Sequence, residues 1–130
     1  MAKQILMTTK KLLGKTGEDF VVERLQQEGF AIRHRNYQQR CGEIDIIAEK
    51  GNVRVFVEVK LRQAEYFALS QLITPSKQRK IVTTARLYNS AQRDYSPKVF
   101  RFDVALITRH SRDDYALTYI QDAFTQGKEW

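Results

Sequence analysis

The chain is predicted to be an α/β protein with elements in the order α-β-β-β-α-β-β, and three observations predict it. Two segments carry apolar residues at helical spacing, around Val21 and around Val82. Five others carry apolar runs or two-residue alternation, around Ile32, Ile46, Val57, Val104 and Leu117. Gly29, Gly51-Asn52, Thr74-Pro75 and Ser96-Pro97 punctuate the pattern where elements should end or begin.

Residues 1–12 read as a flexible basic arm. A helix is expected from Thr16 to Glu28, stopped by Gly29 at its C′ position. Phe30 to Tyr37 alternates Phe30, Ile32 and His34 against Ala31, Arg33 and Arg35, the period of a strand. Residues 43–48 and 53–60 form a hairpin about Gly51-Asn52, a dipeptide suited to a two-residue turn. Residues 61–73 show no period and read as a mobile loop carrying Tyr66 and Phe67. Thr74 can cap a second helix and Pro75 suits its first turn. That helix runs to about Arg93 with Ile81, Val82, Ala85 and Tyr88 on one face. Ser96-Pro97 breaks the chain before a strand from Val99 to Ile107, with Phe100, Phe102, Val104 and Leu106 on one side. Residues 111–114 turn the chain into a last strand, Tyr115 to Ile120. Residues 13–124 are expected to be one domain, followed by a tail at 125–130.

Lys and Arg number 22 against 15 Asp and Glu, a formal charge of +7 that favours anionic partners, nucleic acid before an acidic membrane surface. Cys41 is the single cysteine, so no intrachain disulfide can form, and a cytoplasmic setting is expected. The start has no apolar core long enough for a signal peptide. No stretch approaches the ~20 apolar residues of a membrane span. With one cysteine and two histidines there is no zinc-type ligand cluster.

The informative residues are charges where a strand interior should be apolar. Asp45, Glu58 and Lys60 interrupt apolar runs. With Gly51-Asn52 as the loop, Lys50 pairs with Val53, and counting outward places Asp45 directly opposite Glu58. Like charges so placed repel, and a buried carboxylate is costly unless a cation answers it. Glu58 therefore needs Lys60, a metal, or both. Glu18 shares the apolar stripe of Val21, Val22 and Leu25, so a third carboxylate is expected to point inward, with Gly14 and Gly17 allowing close approach. On the second helix Gln78 projects with Val82, Ala85 and Asn89 toward the sheet. Arg79, Arg86 and Arg93 are spaced by seven and form an outward stripe that, with Lys77 and Lys80, can track phosphates.

Oxygen-only ligands select hard cations, Mg²⁺ or Mn²⁺. Asp45 and Glu58, with the Val59 carbonyl, can hold one ion, which would lower the pKa of a bound water and neutralise a scissile phosphate. Lys60 can orient that water or stabilise the charge growing on phosphorus. Glu18 can hydrogen-bond metal-bound water.

Asp45, then Glu58-Val59-Lys60 on the next strand, with Glu18 on a preceding helix, resembles the PD-(D/E)XK restriction-endonuclease-like superfamily. Gly42-Glu43-Ile44-Asp45, Phe56-Val57-Glu58-Val59-Lys60, Lys77-Gln78 and Arg101-Phe102-Asp103-Val104 resemble, more narrowly, the bacterial YraN family, which is similar to archaeal Holliday-junction resolvases. The resemblance covers roughly residues 12–124. It implies a mixed sheet flanked by helices and a Mg²⁺-dependent nuclease site made of Glu18, Asp45, Glu58 and Lys60, with Gln78 at the helix position that completes it. It implies DNA as partner, branched or single-stranded, in repair or recombination, and pairing as a homodimer. The loop at 61–73 lacks the glycine common in relatives. Two rivals stay open: a nucleic-acid-binding or assembly module that keeps the fold without catalysis, and a purely structural ion network of Asp45, Glu58 and Lys60.

Overall fold

The computed structural model describes residues 16–62, 73–93, 99–109 and 114–124, together with the backbone of 5–11. The chain forms strand β1 (Ile5–Lys11), helix α1 (Gly17–Gln27), strands β2 (Ala31–Gln39), β3 (Gly42–Lys50) and β4 (Val53–Arg62), helix α2 (Pro75–Ala91), and strands β5 (Val99–Arg109) and β6 (Asp114–Phe124). From α1 onward this is the expected order. The six strands make one mixed sheet, ordered β1-β6-β5-β4-β3-β2. Only β4 and β5 run parallel; the other neighbours are antiparallel. Parallel neighbours need a long crossover, and α2 lies within it.

Local chemistry sets the helix ends. At α1, Thr16 Oγ1 accepts from the Asp19 N–H and Asp19 Oδ2 accepts from the Thr16 N–H, both at 3.1 Å, a reciprocal cap. Gly29 follows at φ +95°, and the Phe30 N–H reaches back to the Leu25 carbonyl at 2.9 Å, closing the helix. At α2, Thr74 Oγ1 accepts from the Lys77 N–H at 3.2 Å, and Pro75 occupies the first turn, where no amide proton is needed.

Among the described residues, α1 covers one face of the sheet and α2 the other. Phe20, Val21 and Leu25 of α1 pack on Ile46, Ala48, Val55, Val57, Ala105 and Ile107. Ile81, Val82, Ala85 and Tyr88 of α2 pack on Ile44, Ile47, Phe56, Phe102, Val104 and Leu106. The centre is β4, apolar on both faces, as expected of a strand covered on two sides. Gly17 lets α1 approach β5: a Cβ there would lie 2.8 Å from Ile107 Cδ1.

Three expectations change. The arm expected over residues 1–12 is in part a strand, since 5–11 pairs with β6 from Ile5↔Ile120 to Lys11↔Asp114. Its Thr8-Thr9-Lys10-Lys11 half lacks alternation, and lysines are usual on edge strands, which have one neighbour and must discourage another. Of the loop expected at 61–73, residues 61 and 62 belong to β4, Ile73 is fully buried beside α2, and 63–72 lie outside the described residues. Tyr66 and Phe67 lie outside the described residues, as do 125–130. The helix expected to reach Arg93 ends at Ala91.

The register of the 43–60 hairpin is as expected near its turn: Lys50 pairs with Val53, and the ladder runs to Ile46↔Val57. Gly51 has φ +57° while Asn52 does not have positive φ, the pattern of a type II′ turn. Beyond Ile46 the ladder stops. Ile44 and Ile47 both join the α2-side core although three residues apart, which strict alternation forbids. The neighbouring strand turns over at the same level, for His34 and Tyr37 both pack on the Tyr88 ring and Asn36 between them has φ +54°. Asp45 and Asn36 thus mark a joint irregularity where β3 parts from β4.

Candidate active site

Asp45 stands at that parting. Its Oδ2 accepts the Val59 N–H at 2.8 Å, taking the place a ladder carbonyl would hold. The expected ladder pairing of Asp45 with Glu58 is therefore replaced by a side-chain contact one residue further on, to Val59, and the Asp45 charge still acts on the neighbouring Glu58 carboxyl. The substitution has a physical reason. A strand that turns over leaves its partner's amides unsatisfied, and a short carboxylate on the departing strand is placed to accept one.

Glu58 is only 6% exposed. Its Oε2 lies 3.3 Å from Lys60 Nζ and 3.7 Å from Lys77 Nζ. Burial, and then the Asp45 charge, push the Glu58 carboxyl up to about 7, while Lys77 and Lys60 pull it down without cancelling them. The site is thus two carboxyl groups and two ammonium groups at the α2-side mouth of the parted strands.

The remaining residues singled out in the sequence lie at varied distances from this centre. Glu18 is drawn to Arg35, whose Nε donates to its Oε1 at 2.9 Å, while Arg35 Nη2 donates to Asp19 at 2.8 Å. Among the described residues no three His, Cys, Asp or Glu side chains group closely enough to hold an ion by themselves. Gln78 Nε2 donates to the Ile73 carbonyl at 3.0 Å, tying α2 to the chain before it. The α2 side chain that reaches the carboxylates is its neighbour Lys77, read from the sequence only as a phosphate contact. Its four-carbon stem lets an ammonium at the helix start swing toward a buried charge. Arg79, Lys80, Arg86 and Arg93 are all exposed along α2 and just past its end.

Sequence reasoning missed Arg35 as the partner of Glu18. Both fall on the α1 side of the sheet, and an inward acid on α1 needs a cation from the strand that follows. Arg101 and Asp103, two residues apart on one face of β5, pair with each other: Arg101 Nε donates to Asp103 Oδ1 at 2.9 Å and Nη2 to Oδ2 at 3.0 Å. Asp103 is fully buried and also accepts from Tyr119 Oη at 2.6 Å and the Asp122 N–H at 2.9 Å. That network clasps β5 to β6 where their register shifts.

The model of the uncharacterised protein family UPF0102 matches residues 17–107. A UPF0102 protein of Geotalea daltonii is 43% identical over 115 residues, covering 88% of this chain and 90% of that protein. One from Dictyoglomus thermophilum is 41% identical over 98 residues, covering 75% and 82%. One from Vibrio parahaemolyticus is 34% identical over 120 residues, covering 92% and 97%. Among solved structures, Archaeoglobus fulgidus Hjc, a Holliday junction resolvase, aligns with a TM-score of 0.46 and 21% identity, over 75% of this chain and 83% of that one. On the extent of the family match and of these identities, the chain belongs to the UPF0102 family.

Proposed function

We propose that this protein is a Mg²⁺- or Mn²⁺-dependent endonuclease that hydrolyses phosphodiester bonds of DNA. The observation that carries the reading is the close pair of Asp45 and Glu58 at the end of a parted ladder, with Lys60 3.3 Å from Glu58. Two carboxylates so placed repel, and a divalent ion bound by both turns that repulsion into attraction. The donor set fits Mg²⁺, which binds through one or two carboxylates and keeps several waters, better than a metal that demands a full cage of side chains. Asp45, Glu58 and the Val59 carbonyl are the ligands offered here. Such an ion, when bound, supplies charge for a phosphate and a lowered pKa for water.

The chain's own groups do the rest. Asp45 is fixed by the Val59 N–H, so its free oxygen is aimed. Lys60 stands 3.3 Å from Glu58, and with a cation held by that carboxylate its ammonium would be free to orient a water or meet the charge growing on phosphorus. The exposed Arg79, Lys80, Arg86 and Arg93 hold the phosphate backbone without reading sequence.

The test is cleavage of duplex, flap, junction and single-stranded DNA with Mg²⁺ or Mn²⁺. The wild type should cut at least one of them, and Lys60→Ala should lose activity by ~100-fold or more while binding DNA as before. No cutting by the wild type, or cutting that Lys60→Ala retains in full, overturns the reading. Salt-sensitive binding without any metal requirement would point instead to a non-catalytic DNA-binding module.

A further inference from the structure

Beside the carboxylates lies a cavity that the cleavage chemistry does not use. It is about 340 Å³, open on one side, and lies between the β2–β3 turn and the first turns of α2. Gln38, Gln39, Glu43, Lys77, Lys80 and Ile81 line it. Lys77 joins it to the site, since the same side chain stands 3.7 Å from Glu58. The cavity is held open by packing at one end. A Cβ on Gly42 would come within 3.0 Å of Thr84 Oγ1 and 3.4 Å of Lys80 Cβ, so the turn lies directly on α2. Thr84 Oγ1, hydrogen-bonded to the Lys80 carbonyl at 2.7 Å, is also 3.3 Å from Cys41 Sγ, which pins the turn from a second side.

We propose that this cavity takes one unpaired nucleotide next to the scissile phosphate, so that the substrate is DNA with an unstacked base at the cut. The inference rests on the nuclease reading for which phosphate is cut, but not for the binding itself. Size comes first: 340 Å³ is near the small end of ligand pockets, enough for one nucleotide and not a duplex end. Chemistry comes second. A groove built only for backbone would be lined by cations, yet this one carries a carboxylate, Glu43, which repels phosphate and accepts from base amino groups. Gln38 Nε2 donates to Glu43 Oε2 at 3.2 Å, which sets the carboxylate's direction. Gln39 adds a carboxamide able to donate and accept at a base edge. The small part of Ile81 that is not buried lines the cavity and adds an apolar contact for a base, and Lys80 and Lys77 stand where the flanking phosphates would run. Base edges are reachable in this way only when the base is out of the stack.

The probe is a short single-stranded deoxyoligonucleotide in EDTA, with an abasic position walked along it and affinity read by anisotropy. Working without metal separates this test from the nuclease reading. The wild type should show one position at which losing the base weakens binding roughly tenfold. The double variant Gln39→Ala, Glu43→Ala should lose that step and keep its affinity for duplex; both side chains are exposed, so folding is not at stake. A flat abasic walk, equal losses on duplex and single strand, or no binding of the single strand overturns the inference. A flat walk in an enzyme that cuts overturns the inference alone, and a stepped walk in a protein that never cuts overturns the nuclease reading alone.

Discussion

Glu58→Gln should make the metal-free protein more stable at alkaline pH, although it removes a residue of the candidate site. In the folded chain burial and Asp45 raise the Glu58 carboxyl from 4.5 to about 7. The folded state therefore binds more protons than the unfolded state between those values. Stability is then greatest below about 4.5, falls as pH rises through about 7, and levels off above it. At about 1.4 kcal/mol per pH unit the loss is on the order of 3 kcal/mol. Glutamine keeps the shape, offers Asp45 an N–H donor and carries no charge at any pH, so the variant lacks this slope. The two proteins should be equally stable near pH 4.5 and differ by up to about 3 kcal/mol at pH 8, roughly 10 °C in melting temperature for a chain of this size. Added Mg²⁺ or Mn²⁺ should raise the melting temperature of the wild type at pH 8 and leave that of Glu58→Gln unchanged. Urea and thermal denaturation at three pH values, with and without metal, read all of this. If Glu58→Gln is the less stable protein at pH 8, Glu58 and its two lysines form a stabilising ion network and the argument for a cation fails.

Lys77→Met removes a charge that lowers the Glu58 carboxyl, so the acid limb of the pH–rate profile should move to higher pH; an unmoved limb contradicts the placement of Lys77 at the site. Asp103→Asn leaves the half-buried Arg101 without its counter-charge and should cost about 3–5 kcal/mol in urea denaturation. Tyr119→Phe removes one hydrogen bond to Asp103 and should cost about 1–2 kcal/mol; equal losses for these two variants would refute the ranking. Arg54 is buried, bonded to Glu49 at 2.7 Å and Asn89 at 2.6 Å, and stacked over Tyr88 and Phe100. Arg54→Ala should therefore cost about 3–5 kcal/mol without changing DNA affinity, as measured by denaturation and anisotropy in parallel.

Much of the site could be read from one sequence because strands have a period of two and hairpins with two-residue turns fix their own register. Glu58 and Lys60 fall on the α2 side with Phe56, and the Val53-to-Val59 row falls on the other, as alternation requires. The departure at Asp45 was not legible. It depends on Asn36 adopting φ +54° in a different strand, and no local pattern in 43–48 signals it. The choice between Lys77 and Gln78 was also out of reach. Helical phase points Gln78 at the sheet, but at the first turn of a helix side-chain length outweighs phase, and the nearby Ile73 carbonyl captures the glutamine amide. Glu18 lies on the apolar stripe as its spacing requires, and what it meets there is Arg35, a long-range partner. Strand β1 escaped notice because it is defined by its ladder to β6, and Thr8-Thr9-Lys10-Lys11 carries no two-residue alternation that would announce a strand.

The central claim is that Asp45 and Glu58 together bind a divalent cation. Crystals soaked in Mn²⁺ and measured at the manganese absorption edge test it directly. The account predicts one anomalous peak bridging the Asp45 and Glu58 carboxylates, with metal–oxygen distances of about 2.0–2.3 Å and Lys60 displaced from Glu58. An empty site at millimolar Mn²⁺ and pH 8, with Lys60 and Lys77 still on Glu58, would contradict it.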